Sequence, residues 1–158
     1  MSWSMRVALS LSLLLAAVAP LALASDGSVE SRLQERGIEY QVDADGDYMI
    51  TLSYSDEGRT QLVFVGGRTE TVGGYTVREV FAPAARLSHG VDGDLALKLL
   101  ADSRSAKLGA WELGGDILYF VIKLPEPMDA EQLDAAIGIA ASTADDMEIQ
   151  ISGELDEL

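Results

Sequence analysis

Cysteine is absent from all 158 residues, and histidine occurs once. Without cysteine there are no disulfides, no thiol nucleophile and no lipid-modified cysteine to anchor the chain. Stability must come from an ordinary hydrophobic core. A zinc site draws on several histidines or cysteines, and only His89 is offered. Its neighbour Ser88 is badly placed for a Ser-His-acid triad, because adjacent residues rarely present that geometry, and no G-x-S-x-G elbow supplies another serine. His89, before Gly90, is expected in a loop.

Phosphate-binding loops are missing too. Such a loop needs a strand-to-helix junction with its lysine, or a G-x-G-x-x-G. The glycine pairs Gly66-Gly67, Gly73-Gly74 and Gly114-Gly115 instead stand between apolar runs, as turns between strands. No cofactor is expected. Basic residues are scarce, 11 against 26 acidic, for a formal net charge of −15. A field of that sign repels phosphate backbones and anionic lipid surfaces. Neither nucleic acid nor a membrane surface is therefore expected as a partner of the mature chain.

Long apolar runs occur once. Residues 1–24, MSWSMRVALSLSLLLAAVAPLALA, carry one charge, Arg6, and end Ala22-Leu23-Ala24. Pro20 and the small-x-small ending mark a signal peptide cleaved after Ala24, rather than a spanning helix. The mature chain, residues 25–158, is then a single exported domain, periplasmic or secreted. Losing Arg6 takes its net charge from −15 to −16.

Within it, SVESRLQERG (Ser28–Gly37) predicts a short helix capped by Ser28 and stopped by Gly37, with Val29 and Leu33 on one face. The period then changes to two, through Ile38, Tyr40 and Val42 and again through Tyr48, Ile50, Leu52 and Tyr54. Asp56-Glu57-Gly58-Arg59 marks a turn. QLVFV (Gln61–Val65) and YTVREVF (Tyr75–Phe81) complete a three-stranded meander, with a polar loop between the glycine pairs and Pro83 ending the third strand. A second helix runs from a cap at Asp92 or Asp94 to about Ser103. Two apolar runs then flank Gly114-Gly115, and the second, ILYFVI, is apolar on both faces, predicting a covered central strand. The last helix starts at Asp129, with Gln132 completing a capping box, and buries Leu133, Ile137, Ala140, Ala144 and Met147. Its other face and the tail carry Asp134, Asp145, Asp146, Glu148, Glu154, Asp156 and Glu157. The order α-β-β-β-α-β-β-α predicts an α+β domain with an antiparallel sheet and packed helices.

That order, with KLGAWELGGDILYFVIKLP (Lys107–Pro125) and a following helix ending AASTADDMEI, resembles the YbjN-like family of bacterial proteins. The likeness runs from about Leu33 to Ile149. Its markers are Asp45-Gly46, Leu99-Leu100, Gly109-x-Trp111 and Ala144-Asp145-x-x-Glu148. The resemblance implies a type III secretion chaperone-like fold, which binds extended partner segments and commonly forms a homodimer. It also implies a role described as regulation of sensory transduction. The export segment departs from the usual cytoplasmic members and points away from secreted effectors and from direct gene regulation.

Few residues suggest chemistry. Asp43, Asp45 and Asp47 invite a calcium reading, but an EF-hand loop counted from Asp43 has its glycine at position four rather than six, and Tyr54 where a glutamate belongs. Aspartates that bond their own backbone, with Gly46 free to turn left-handed, account for the stretch as a turn. Asp145 and Glu148 share a helix face and are expected on solvated surface, with a contact to the sheet or to a partner as the alternative. Trp111, Tyr119 and Phe120 form the densest aromatic cluster, expected as core packing across a hairpin or, functionally, as an apolar partner or dimer surface. These observations favour a non-enzymatic protein- or peptide-binding domain of the bacterial cell envelope. The alternatives are an acid-based hydrolase with no assignable site, and a calcium-responsive protein using Asp43, Asp45 and Asp47.

Overall fold

The computed structural model describes residues 28–55 and 58–153. The segment expected to direct export, Asp56, Glu57 and the tail acids Glu154, Asp156 and Glu157 lie outside the described residues. Local chemistry sets the helix ends. α1 (Val29–Arg36) begins where the Ser28 hydroxyl accepts the Ser31 N–H at 3.2 Å, and it stops at Gly37 with φ 68°. α2 (Gly93–Ser105) takes Asp92 as its cap, the carboxylate accepting the Leu95 N–H at 2.9 Å. α3 (Ala130–Ser152) carries the expected capping box, Asp129 and Gln132 each bonding the other's backbone amide.

Among the described residues seven strands form one antiparallel sheet: β1 (Gln41–Val42), β2 (Tyr48–Tyr54), β3 (Arg59–Val65), β4 (Glu70–Val72), β5 (Tyr75–Arg86), β6 (Ala110–Gly114) and β7 (Ile117–Pro125). They lie side by side as β1-β2-β3-β5-β7-β6, with β4 paired to β5 beyond the end of β3. The fold is α+β and a single domain. The expected meander is β2-β3-β5, and the polar loop between its glycine pairs holds one further short strand, β4.

Among the described residues, α1, α2 and α3 cover one face of the sheet. α3 rests on β3, β5 and β7, α1 packs on α3, and α2 packs against β6. Alternation in the strands supplies the floor: Ile50, Val63, Val65, Val80, Ala82, Leu118, Phe120 and Ile122 all point at the helices and are buried. Small Ala136, Ala140, Ala141 and Ala144 let α3 approach closely, while Leu133, Ile137 and Met147 fill the space beside them. Each fully buried Leu, Ile or Phe contributes about 1.5–3 kcal/mol.

Pro83 does not end its strand; β5 continues to Arg86, paired with β7 through Tyr119, Leu118 and Ile117. What Pro83 ends is the ladder to β3, which stops after Phe64↔Phe81. Proline has no N–H, and here its bare nitrogen faces β3 rather than β7. The Gln61 side-chain amide fills the gap, donating to the Pro83 carbonyl at 2.8 Å.

Candidate functional site

The face away from the helices carries an apolar row where an antiparallel sheet usually meets water with polar residues. Met49, Phe64, Phe81, Val121 and Ala110 pair in register across five strands, so their side chains form one row. Phe64 and Phe81 stack with ring centres 5.2 Å apart, and Tyr119 meets Phe81 edge-on at 5.8 Å. All three rings are half-buried. Burial pushes the Tyr119 phenol above its usual range, with Asp116 adding to the effect and Arg86 opposing it.

The expected aromatic cluster is therefore divided. Neighbours in a strand point to opposite faces, so Tyr119 lies on the open face while Phe120 points into the core. Trp111 packs edge-on against Phe120 at 5.1 Å. Those two floor a cleft of about 530 Å³ between the end of α2 and α3, edged by Leu108 and Ile139. Beside it α2 turns Leu97 and Leu100 outward, 68% and 66% exposed, while Leu99 is buried and Leu95 packs partly buried on the core. Likewise β7 is interior to the sheet but is not covered on both faces.

A larger cleft, about 710 Å³, opens at one end of the helix-free face. Val72, Val77, Phe81 and Pro125 form its apolar lining, and Asp45, Asp47, Glu70 and Glu79 border it along with Arg68 and Lys123. Lys123 is engaged with Glu112 at 2.5 Å and Glu79 at 3.6 Å. The Glu112 hydrogen bond leads in raising its pKa; burial opposes and the two carboxylate charges add. One wall of the cleft is the β1–β2 turn, seated on Gly66-Gly67. The Asp47 carboxylate accepts the Gly67 N–H at 2.8 Å, and a Cβ on Gly67 would overlap the Gly46 carbonyl.

Asp43, Asp45 and Asp47 act as turn residues. The Asp43 carboxylate accepts the N–H groups of Asp45 and Asp47, each at 2.9 Å. Among the described residues, no group of three or more His, Cys, Asp or Glu is placed to hold a metal ion. His89 is exposed at the end of a short 3₁₀ turn, Leu87–His89.

Asp145 and Glu148 are not on solvated surface. Both lie under α3 against Arg59 of β3, at 3.0 and 2.8 Å, and all three side chains are at most 8% exposed. A second, partly buried network joins Glu126 to Arg32 of α1 at 3.1 Å and to Arg78 of β5 at 2.6 Å, while Arg78 also donates to the Gly66 carbonyl. Burial raises the Glu126 carboxyl, but the hydrogen bonds and charges of the two arginines outweigh it and hold the pKa below the usual value. For Arg59 and Arg78 the available signal is a basic residue at a core-facing strand position; Arg32, on α1, carries no such signal. Compared with known proteins, the chain matches no family model and no curated protein sequence.

Proposed function

We propose that the chain is a non-enzymatic binding domain of the bacterial cell envelope that engages a protein or peptide segment. The observation that carries this reading is the half-buried Phe64-Phe81-Tyr119 ribbon on a sheet face that, among the described residues, no helix covers. Contiguous apolar surface of this kind is costly to leave in water and commonly marks an interaction site. The YbjN-like resemblance and the export segment supply the envelope setting and the regulatory or chaperone-like role. The experiment is capture from envelope extract by the tagged protein, read by mass spectrometry against a Phe81→Ser/Tyr119→Ser variant checked for folding by circular dichroism. A stoichiometric partner held by the wild type and lost by the variant supports the reading. An empty lane, or a partner indifferent to the substitutions, overturns it.

An acid-based hydrolase is the second reading, favoured by the gathering of Asp45, Asp47, Glu70 and Glu79 around one cleft. Asp47 is held by a backbone amide and Glu79 by Lys123, which leaves Asp45 and Glu70 as the pair for acid and base. Turnover of a glycoside or ester substrate that disappears in Glu70→Gln would establish it in place of binding.

A further inference from the structure

The cleft at the end of the helix-free face has a sign as well as a shape. Its apolar floor, Val77 and Phe81, is continuous with the aromatic ribbon, and its border carries four carboxylates against two cations. One of those cations, Lys123, is already shared by Glu79 and Glu112. Among the described residues Asp45 and Glu70 enter no ion pair, so their charge faces the opening. The whole chain, at −15, adds a long-range field of the same sign.

We propose that this cleft holds an extended cationic segment of a partner protein, with lysine or arginine beside Asp45 and Glu70 and an apolar side chain on Phe81 and Val77. The proposal rests on the binding reading above and specifies the partner's chemistry. Electrostatic complementarity of this kind governs encounter and register, while the apolar anchor supplies most of the affinity. A second copy of the chain fits poorly, because a two-fold contact would set one acid border against the other. A small inorganic cation would leave the apolar floor unused.

The test is titration of the purified protein with a short fluorescein-labelled peptide alternating lysine with leucine or phenylalanine, followed by fluorescence anisotropy. Two further peptides serve as controls, one with every lysine made glutamate and one with every apolar residue made serine. Saturable binding is expected for the first peptide alone. It should weaken at least tenfold in Asp45→Asn/Glu70→Gln, whose changes are on exposed side chains outside any ion pair, and at least tenfold in Phe81→Ser. Amide chemical shifts should move at the cleft and stay still around Trp111. Absence of binding, equal binding of the serine peptide, shifts confined to the Trp111 cleft, or indifference to both variants would each overturn the proposal. If the peptide fails while a captured partner still depends on Phe81 and Tyr119, the cationic chemistry falls and the binding reading survives; if both fail, both fall.

Discussion

Arg59 sits in the core-facing row of β3, where its neighbours are Gln61, Val63 and Val65, and among the described residues it meets two carboxylates, Asp145 and Glu148. Ions out of water lose more hydration than a single contact restores, so removing one partner exposes that loss. Glu148→Ala should therefore destabilise the protein by about 3 kcal/mol in urea titration. Replacing all three, Arg59→Met with Asp145→Leu and Glu148→Leu, should return stability to the wild-type level or above, since the charges are removed together rather than one being left without its partner. The aspartates of the β1–β2 turn make the opposite case. Asp43 has its carboxylate engaged by two backbone amides, and three acids fall short of the oxygens calcium takes. Thermal midpoints in calcium and in EDTA at matched ionic strength should coincide; a rise with calcium would restore the metal reading.

Glu126 works between elements. It lies after β7 and before α3, and it binds Arg32 of α1 and Arg78 of β5. Three parts of the chain that are distant in sequence thus share one carboxylate. Because its folded pKa lies below the usual value of 4.5, the ionised group stabilises the fold fully above that value. The contribution is lost as pH falls through the folded pKa. Glu126→Gln should cost about 1.5–3 kcal/mol at neutral pH, the range for hydrogen bonds to charged groups. The gap to wild type should narrow as pH is lowered from about 6 to about 3 in denaturant titrations, since protonation removes the same charge from the wild type. Elements defined by caps and periods are legible in the sequence: Ser28, Gly37, Asp92, Asp129 and Gln132 all act as helix caps where their residue types predict. Pro83 departs from its expected role because its effect depends on which neighbour its nitrogen faces, and a strand has two neighbours.

At the scale of the whole molecule the surplus of acids governs the electrostatics. A formal charge of −15 makes the compact state repel itself, and salt screens that repulsion. The thermal midpoint should rise with sodium chloride between about 20 and 300 mM; a gain of about 1 kcal/mol corresponds to about 4 °C in a chain of this size. A midpoint that falls with salt would mean that the buried arginine networks outweigh the surface charge.

Period, caps and turn residues are local properties. The helices, most strands, the antiparallel α+β class and the turn role of Asp43, Asp45 and Asp47 therefore follow from the order of residues alone. Which groups meet is a matter of tertiary structure. Arg59 is 86 residues from Asp145 and 89 from Glu148, and nothing local links them; sheet order and the path of α3 bring them together. The same is true of the aromatic residues. Alternation says that Tyr119 and Phe120 part company, but only the placement of all three helices on one side decides which becomes core and which is left on the open face.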